Sequence, residues 1–468
     1  MRKIVWSFYS GMFLFSSSAL AEGQFTMGGA SLSFWWSVPF VLVLGSLALF
    51  PLILPKIWHP HYGKILGLYA SGILVPLFLI KGWQTTIVAV TEIIAHHYLP
   101  FLCLIAALYI TAGGIQITIQ GSVSAKLNTL ILAIATFIAG WIGTTGAAML
   151  FIRPFLLFNK DRLHRQHLVI FFIFLVCNIG GALTPLGDPP LFLGYLEGID
   201  FFWPLKNLAL PLLFLALPLL GIFYLWDHRL QDSSFTPNKG SPFQIRIQGY
   251  ENIGYLGGVV SLILMTGLWK PETSFSFSGI SWELQNLVRD TGLVLLALLS
   301  YFKTNPLPRQ ANDFSWAPLQ EVAIIFAAIF ITAAPVLDML KAGEQGPFHE
   351  WLRLINQADG TPSPSLYFWA TGFLSSLLDN APTYLIFFNM AGGDPQLLMT
   401  TLQPVLFAIS AGSVFMGALT YIGNAPNFMA KSIAESYHIR MPGFFGYSGR
   451  ALLLLLPLLG LMIILFLN

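Results

Sequence analysis

Two carboxylates, Asp188 and Asp379, lie within long apolar stretches, each surrounded by Gly, Pro, Thr and Asn. An ionised aspartate at the centre of a bilayer costs roughly 2.5–3.5 kcal/mol on insertion scales, so it must hold a proton, hold a cation or find an internal partner. Burial favours the protonated form and a bound cation favours the ionised one, so proton and cation compete for one site. That competition is the minimum chemistry of antiport. Sodium is a hard cation that takes several oxygens from carboxylates, hydroxyls, amide side chains and freed backbone carbonyls. Candidate ligands fall into two groups: Thr144, Thr145, Asn178 and Thr184 with Asp188, and Asn380, Thr383, Thr420, Asn424 and Asn427 with Asp379.

The elements that must position these residues show in a repeated motif. Gly181-Ala-Leu-Thr-Pro-Leu-Gly-Asp-Pro-Pro-Leu-Phe192 returns 236 positions later as Gly417-Ala-Leu-Thr-Tyr-Ile-Gly-Asn-Ala-Pro-Asn-Phe428, with Asp188 facing Asn424. Each copy is flanked by apolar helical runs and is too rich in Gly and Pro to continue as α-helix. Broken membrane helices at matching places in two halves point to the binding site of a secondary transporter. Nearly the same offset separates Thr144-Thr145 from Asp379-Asn380.

Composition sets the class. Of 468 residues, 56% are hydrophobic and 9% charged, which no soluble core explains, and the net charge of +2 excludes a strongly basic nucleic-acid surface. Residues 1–21 read as a signal peptide, with Arg2-Lys3, an apolar stretch and Ala19-Leu-Ala21 before Glu22. Ten apolar runs follow at about 34–55, 65–80, 100–119, 168–197, 202–226, 253–269, 286–302, 319–338, 401–437 and 445–467. Two interrupted segments, about 127–158 and 365–391, read as re-entrant hairpins with tips at Gly143-Thr-Thr-Gly146 and Asp379-Asn-Ala-Pro-Thr383.

With the mature amino terminus outside, only Lys81, Lys206, Lys270, Arg289, Lys341 and Arg353 fall on the outer side, in line with the positive-inside rule. The expected fold is therefore an all-α polytopic membrane protein of two inverted-topology repeats, each with a re-entrant hairpin and a broken transmembrane helix. Residues 22–230 form the first repeat, 231–250 a cytoplasmic connecting loop and 251–468 the second, inverted repeat. The stretch 84–99, with Glu92, His96 and His97, reads as an interfacial helix. His59, His61, His164 and His167 fall in basic loops, Cys103 and Cys177 read as inert packing residues, and Gly63/Gly67 and Gly254/Gly258 have helix-contact spacing.

Asn178-Ile-Gly-Gly-Ala-Leu-Thr-Pro-Leu-Gly-Asp-Pro-Pro-Leu191, Leu378-Asp-Asn-Ala-Pro-Thr-Tyr-Leu-Ile-Phe387 and Gly423-Asn-Ala-Pro-Asn-Phe-Met-Ala-Lys-Ser-Ile-Ala-Glu435 resemble the ion transporter superfamily. More narrowly, they are similar to the NhaD-like sodium/proton antiporters and the related citrate transporters. The resemblance covers nearly the whole chain after the signal peptide and implies two inverted repeats, a moving transport domain on a scaffold, and often a homodimer. Leu183 and Pro189-Pro190 stand where NhaD proteins carry a Trp and hydroxyl residues, and the hairpin tips lack the Ser-Asn-Thr of the dicarboxylate carriers.

The leading expectation is a sodium/proton antiporter of the bacterial inner membrane, with Asp188 and Asp379 exchanging protons for Na+ or Li+ by alternating access. The alternative is sodium-coupled transport of citrate or another dicarboxylate, received by positive half-helix ends. Arsenite export has no cysteine near either break to support it. Leu186-Gly187-Asp188 differs from the Gly-x-Gly-Asp of intramembrane aspartyl proteases, and no phosphate loop for ATP occurs, so no enzymatic activity is expected. The expected partners are the lipid bilayer and small cations, with no nucleic acid and no resident cofactor, since Na+ and H+ are the cargo.

Overall fold

The computed structural model describes residues 28–121, 123–230, 243–271, 273–277, 280–356 and 361–467. The signal-peptide expectation for residues 1–21 lies outside them. Seven helical stretches among the described residues are long and apolar enough to cross a membrane: Phe34–Pro51, Pro55–Gly113, Ala125–Ile142, Trp203–Arg229, Glu251–Leu268, Ala317–Lys341 and Phe444–Phe466. Each is near or above the roughly 20 residues that a hydrocarbon core of about 30 Å requires. The chain is a mostly helical, multi-pass membrane protein rather than a strictly all-α one, since short strand pairs interrupt the helices.

In chain order the helices are α1 (Val38–Ile53), α2 (Pro55–Ile93), α3 (Leu99–Gly113), α4 (Ala125–Ile142), α5 (Thr144–Phe158), α6 (Gln166–Leu175), α7 (Pro189–Leu196) and α8 (Trp203–Arg229). They continue as α9 (Glu251–Leu268), α10 (Leu284–Lys303), α11 (Ala317–Lys341), α12 (Pro364–Leu377), α13 (Asn380–Met390), α14 (Gln403–Phe415), α15 (Ala425–Ser436) and α16 (Phe444–Phe466).

Several expected boundaries move. The stretch 84–99 is not a helix of its own: beyond a kink at Gly82 (φ 82°, ψ 172°) the chain runs through a π turn at Ile94–Tyr98 straight into α3. Pro100 brings no N–H, and the wider turn before it absorbs that loss. The run expected at 100–119 stops at Gly113. Gln116–Gln120 instead forms strand β1, antiparallel to β2 at Gln244–Gln248, with Ile117 opposite Ile247 and Ile119 opposite Ile245. Both strands alternate polar residues with Ile in period two, a strand pattern rather than a helical one. The connecting segment at 231–250 thus ends in a strand, and its earlier part, 231–242, lies outside the described residues. At 286–302, α10 carries the ion pair Arg289–Asp290 (2.7 Å) and falls outside the seven helices that satisfy length and apolarity.

The main core is one cluster running through α3–α16, with Phe155, Phe171, Phe174, Tyr367 and Tyr447 fully enclosed. A second cluster, around Val43, Trp58, Leu66, Ile329 and Met339, joins α1, α2 and α11. Leu68, Phe137, Leu217 and Leu453 point outward, where lipid tails meet them without penalty. Of the glycine pairs with helix-contact spacing, Gly63 and Gly258 lie against Ile324 and Leu296, whereas Gly67 and Gly254 have no side chain or backbone nearby. Only half of that expected packing is therefore made within the chain.

Candidate functional site

The two copies of the repeated motif fold alike and come together. In the first, α6 ends at Leu175, a turn of 3-10 helix spans Ile179–Ala182, and α7 starts after Asp188. In the second, α14 ends at Phe415, a 3-10 turn spans Met416–Leu419, and α15 starts after Asn424. Glycine is needed because each interruption folds tightly on itself. A Cβ on Gly187 would lie 2.2 Å from the Gly181 carbonyl oxygen, and one on Gly423 would lie 2.6 Å from that of Gly417.

Each interruption is tied to the neighbouring helix by its threonine. Thr184 Oγ1 donates to the Gly140 carbonyl and accepts from Leu186 N at 3.2 Å. Thr420 Oγ1 donates to the Ser376 carbonyl and accepts from Ile422 N, also at 3.2 Å. Both ties span 44 residues, so their four partners are related by the same 236-residue offset as the motif. Thr184 and Thr420 thereby hold backbone, a role either would fill without touching an ion.

The same offset pairs Thr144 with Asn380 and Gly143 with Asp379, one place away from the expected alignment of Thr144-Thr145 with Asp379-Asn380. Helix α4 turns into α5 at Gly143, whose φ of 85° suits glycine, and Thr144 N donates to the Gly187 carbonyl at 2.8 Å. Helix α12 turns into α13 at Leu378-Asp379.

All four of these helix starts converge on Asp188, which is 1% exposed and precedes α7. Thr144, the first residue of α5, donates its hydroxyl to Asp188 Oδ1 at 2.9 Å. Asn424, the residue before α15, donates its amide to the same oxygen at 3.0 Å. Asn380, the first residue of α13, donates Nδ2 to Asp188 Oδ2. Helix N-termini carry a partial positive charge, and side-chain donors to a carboxylate are charge-assisted, so this arrangement offsets much of the penalty of burying an anion. Among the described residues every hydrogen-bond partner of Asp188 is neutral.

A second layer supports the first. Asn424 Nδ2 also reaches the Cys177 carbonyl (2.9 Å), and Asn178 Nδ2 donates to Asn427 Oδ1 (2.7 Å). Asn427 Nδ2 in turn donates to the Gly417 and Thr420 carbonyls, both at 2.9 Å. Two buried oxygens in this region, Asn380 Oδ1 and Asn178 Oδ1, have no donor among the described residues. Buried acceptors without partners are rare enough in folded proteins to call for a reason.

Three other expected site residues make no hydrogen bond to Asp188 among the described residues, although Asp379 lies within electrostatic reach of it. Asp379 is half-buried, and its carboxylate caps α13 by accepting from Ala381 N at 3.4 Å. Thr383 Oγ1 donates to the Asp379 carbonyl at 2.9 Å, within the same turn. Thr145 is half-buried, with its side chain in no hydrogen bond among the described residues.

A second buried polar cluster lies outside the motif. Asp227, on α8, is 0% exposed and accepts from Arg162, from Asn128 Nδ2 (3.0 Å) and from His167 Nε2 (2.7 Å). Asn159 links to Asn128 by two amide hydrogen bonds of 2.9 and 3.0 Å. His167, expected in a basic loop, is instead buried in α6 between the rings of Phe223 and Trp226. The signal available was an Asp at the end of an apolar run, with His167 and Arg162 lying 60 and 65 residues earlier. This network ties the far ends of α4 and α5 and the start of α6 to α8, away from the motif. No cluster of three or more His, Cys, Asp or Glu occurs among the described residues.

No protein among the curated sequences matches the chain. The sequence profile of the family described as "Putative citrate transport" matches residues 29–467. That span takes in both motif copies and both helical hairpins, and with it the whole site around Asp188; the chain belongs to this family of transporters.

Proposed function

We propose that the protein is a secondary transporter that couples movement of citrate or a related carboxylate to sodium ions or protons across the bacterial inner membrane. One observation carries this reading: an enclosed carboxylate, Asp188, sits at the meeting point of four helix N-termini and three side-chain donors. Converging helix starts form an anion-receiving environment, and the carboxylate within it supplies the cation or proton site that coupling requires. Family membership supports a citrate-class anion over a bare cation as the substrate.

In this reading residues 22–230 and 251–468 are two inverted-topology repeats joined through 231–250. The pairs α4/α5 and α12/α13 are re-entrant hairpins, and α6/α7 and α14/α15 are broken transmembrane helices. The shared offset of the Thr184 and Thr420 ties, and the crossing of the two motif copies at Asp188 and Asn424, support that division. Alternating access would then expose the neighbourhood of Asp188 first to one side and then to the other. Asp188 would hold the coupling ion, with Thr144, Asn380 and Asn424 lining the site and Asn178, Thr184, Thr420 and Asn427 shaping it. Residues 1–21 would be removed as a signal peptide.

A second reading, sodium/proton antiport, draws on the wholly neutral surroundings of Asp188 and on the unpartnered oxygens of Asn380 and Asn178, which suit a cation without any anion. Proteoliposomes holding the purified protein decide between them. Labelled citrate should accumulate when an inward sodium or proton gradient is imposed, and should not without one. Sodium-driven proton movement in vesicles that take up no citrate, succinate or malate under any gradient would overturn carboxylate transport in favour of antiport.

A further inference from the structure

We infer that Asp188 and a carboxylate of the substrate are alternative occupants of one donor set, Thr144 Oγ1, Asn380 Nδ2 and Asn424 Nδ2. A proton or a sodium ion must then neutralise Asp188 before the substrate binds. The inference rests on the carboxylate-transport reading and adds to it the order of events and the residue that enforces it.

Three observations lead there. First, the donors suited to an anion are already committed. Thr144, Asn380 and Asn424 all point at Asp188, and the first two residues of α7 are Pro189 and Pro190, which have no N–H to offer. Side chains rather than the backbone of α7 must therefore hold any anion at this point.

Second, the committed state is closed. A Cβ added to Gly181 would lie 2.7 Å from Thr144 Cγ2 and 2.9 Å from Asp188 Cβ, so the carboxylate is wedged between the hairpin tip and the interrupted segment. Asp379 adds negative charge nearby, and the Cys177 thiol is the other titratable group facing Asp188 among the described residues. With no cationic side chain among the partners of Asp188, a second carboxylate brought to the same donors would meet an ionised one unscreened.

Third, the neutralised state has a waiting partner. Asn380 is 0% exposed, its Nδ2 donates to Asp188, and its Oδ1 accepts from no donor among the described residues. A protonated Asp188 becomes an O–H donor, and the amide oxygen beside it is the acceptor it needs. Sodium would use the same atoms, drawing on the Asp188 oxygens and Asn380 Oδ1. Either event takes negative charge off the donor set, and Thr144 and Asn424 become free to receive the substrate.

The test is calorimetric binding of citrate to purified protein in lipid nanodiscs, at low and saturating sodium and in buffers of different ionisation heat. At low sodium the wild type should take up about one proton per citrate beyond that taken up by Asp188→Asn, and its affinity should fall about tenfold per pH unit as pH rises. Saturating sodium should remove this dependence. Asp188→Asn should bind citrate without it, since its neutral side chain cannot compete as an anion.

Wild-type binding linked neither to protons nor to sodium overturns the inference. So does a folded Asp188→Asn protein that keeps the wild-type linkage or that binds no citrate where the wild type does. If Asp188→Asn does not fold, the linkage is read against the proton uptake of free citrate, and the wild type decides alone. Absence of citrate binding to the wild type at every pH and sodium concentration overturns the carboxylate-transport reading, and the inference falls with it.

Discussion

Asn424 donates its amide to Asp188 at 3.0 Å, although the two residues hold the same place in motif copies 236 positions apart. One copy supplies the charge and the other its neutral counterpart. A symmetric pair of aspartates at this distance would repel when both are ionised and would have to share a proton, which the Asn on one copy avoids. Asn424→Asp should therefore reduce gradient-driven citrate uptake at least tenfold while reducing detergent-solubilised stability by about 1–3 kcal/mol, the scale of a buried polar mismatch. Uptake assays alongside thermal unfolding check this, and wild-type values in both would contradict the proximity.

Thr184 and Thr420 make matching ties to the Gly140 and Ser376 carbonyls. Replacing either by Val keeps the shape and strips a buried carbonyl and a backbone N–H of their partner. Each single variant should lose about 1–3 kcal/mol of stability, and the two losses should be similar in size. Unfolding followed by tryptophan fluorescence measures both.

Close backbone approach predicts a graded glycine series. Gly187→Ala should fail to give folded protein, because its Cβ would meet the Gly181 carbonyl oxygen at 2.2 Å. Gly181→Ala should fold with reduced uptake, since the nearest atoms are side chains at 2.7 and 2.9 Å. Gly254→Ala, with nothing within 4 Å, should behave as wild type or be slightly more stable through better helix propensity. Expression yield and size-exclusion profiles rank the three.

Removing Arg162 leaves the carboxylate of Asp227 buried with only His167 and Asn128 against it. Arg162→Met should cost about 3–5 kcal/mol, as breaking one side of a buried ion pair does. Adding Asp227→Asn should restore part of that loss, because the unpaired charge goes with it. A double-mutant cycle on unfolding free energies gives the coupling, and strict additivity would refute it.

Asp379 offers the clearest contrast with Asp188. Its carboxylate caps α13, and Asn caps a helix about as well as Asp. Asp379→Asn should leave citrate uptake within about twofold of wild type, whereas Asp379→Ala should cost roughly 0.5–2 kcal/mol of stability. A complete loss of uptake in a stable Asp379→Asn protein would return this residue to the transport pathway.

Composition and hydrophobic run length alone determined that the chain is a helical, multi-pass membrane protein, because a bilayer imposes length and apolarity locally along the sequence. The repeated Gly- and Pro-rich motif also marked the two interruptions and Asp188, since Gly and Pro crowded together disfavour a continuous helix, whereas single prolines such as Pro211 and Pro335 are carried inside long ones. Tertiary structure decided which polar groups meet. It brought Asn380 and Asn424 to Asp188 across 192 and 236 residues, turned Asp379 to its own helix, and assembled the Asp227 network from four separate segments. Hydrophobic patterning is read one helix at a time, but a hydrogen bond depends on how distant helices pack, and in lipid that packing depends on side-chain shape rather than on hydrophobicity.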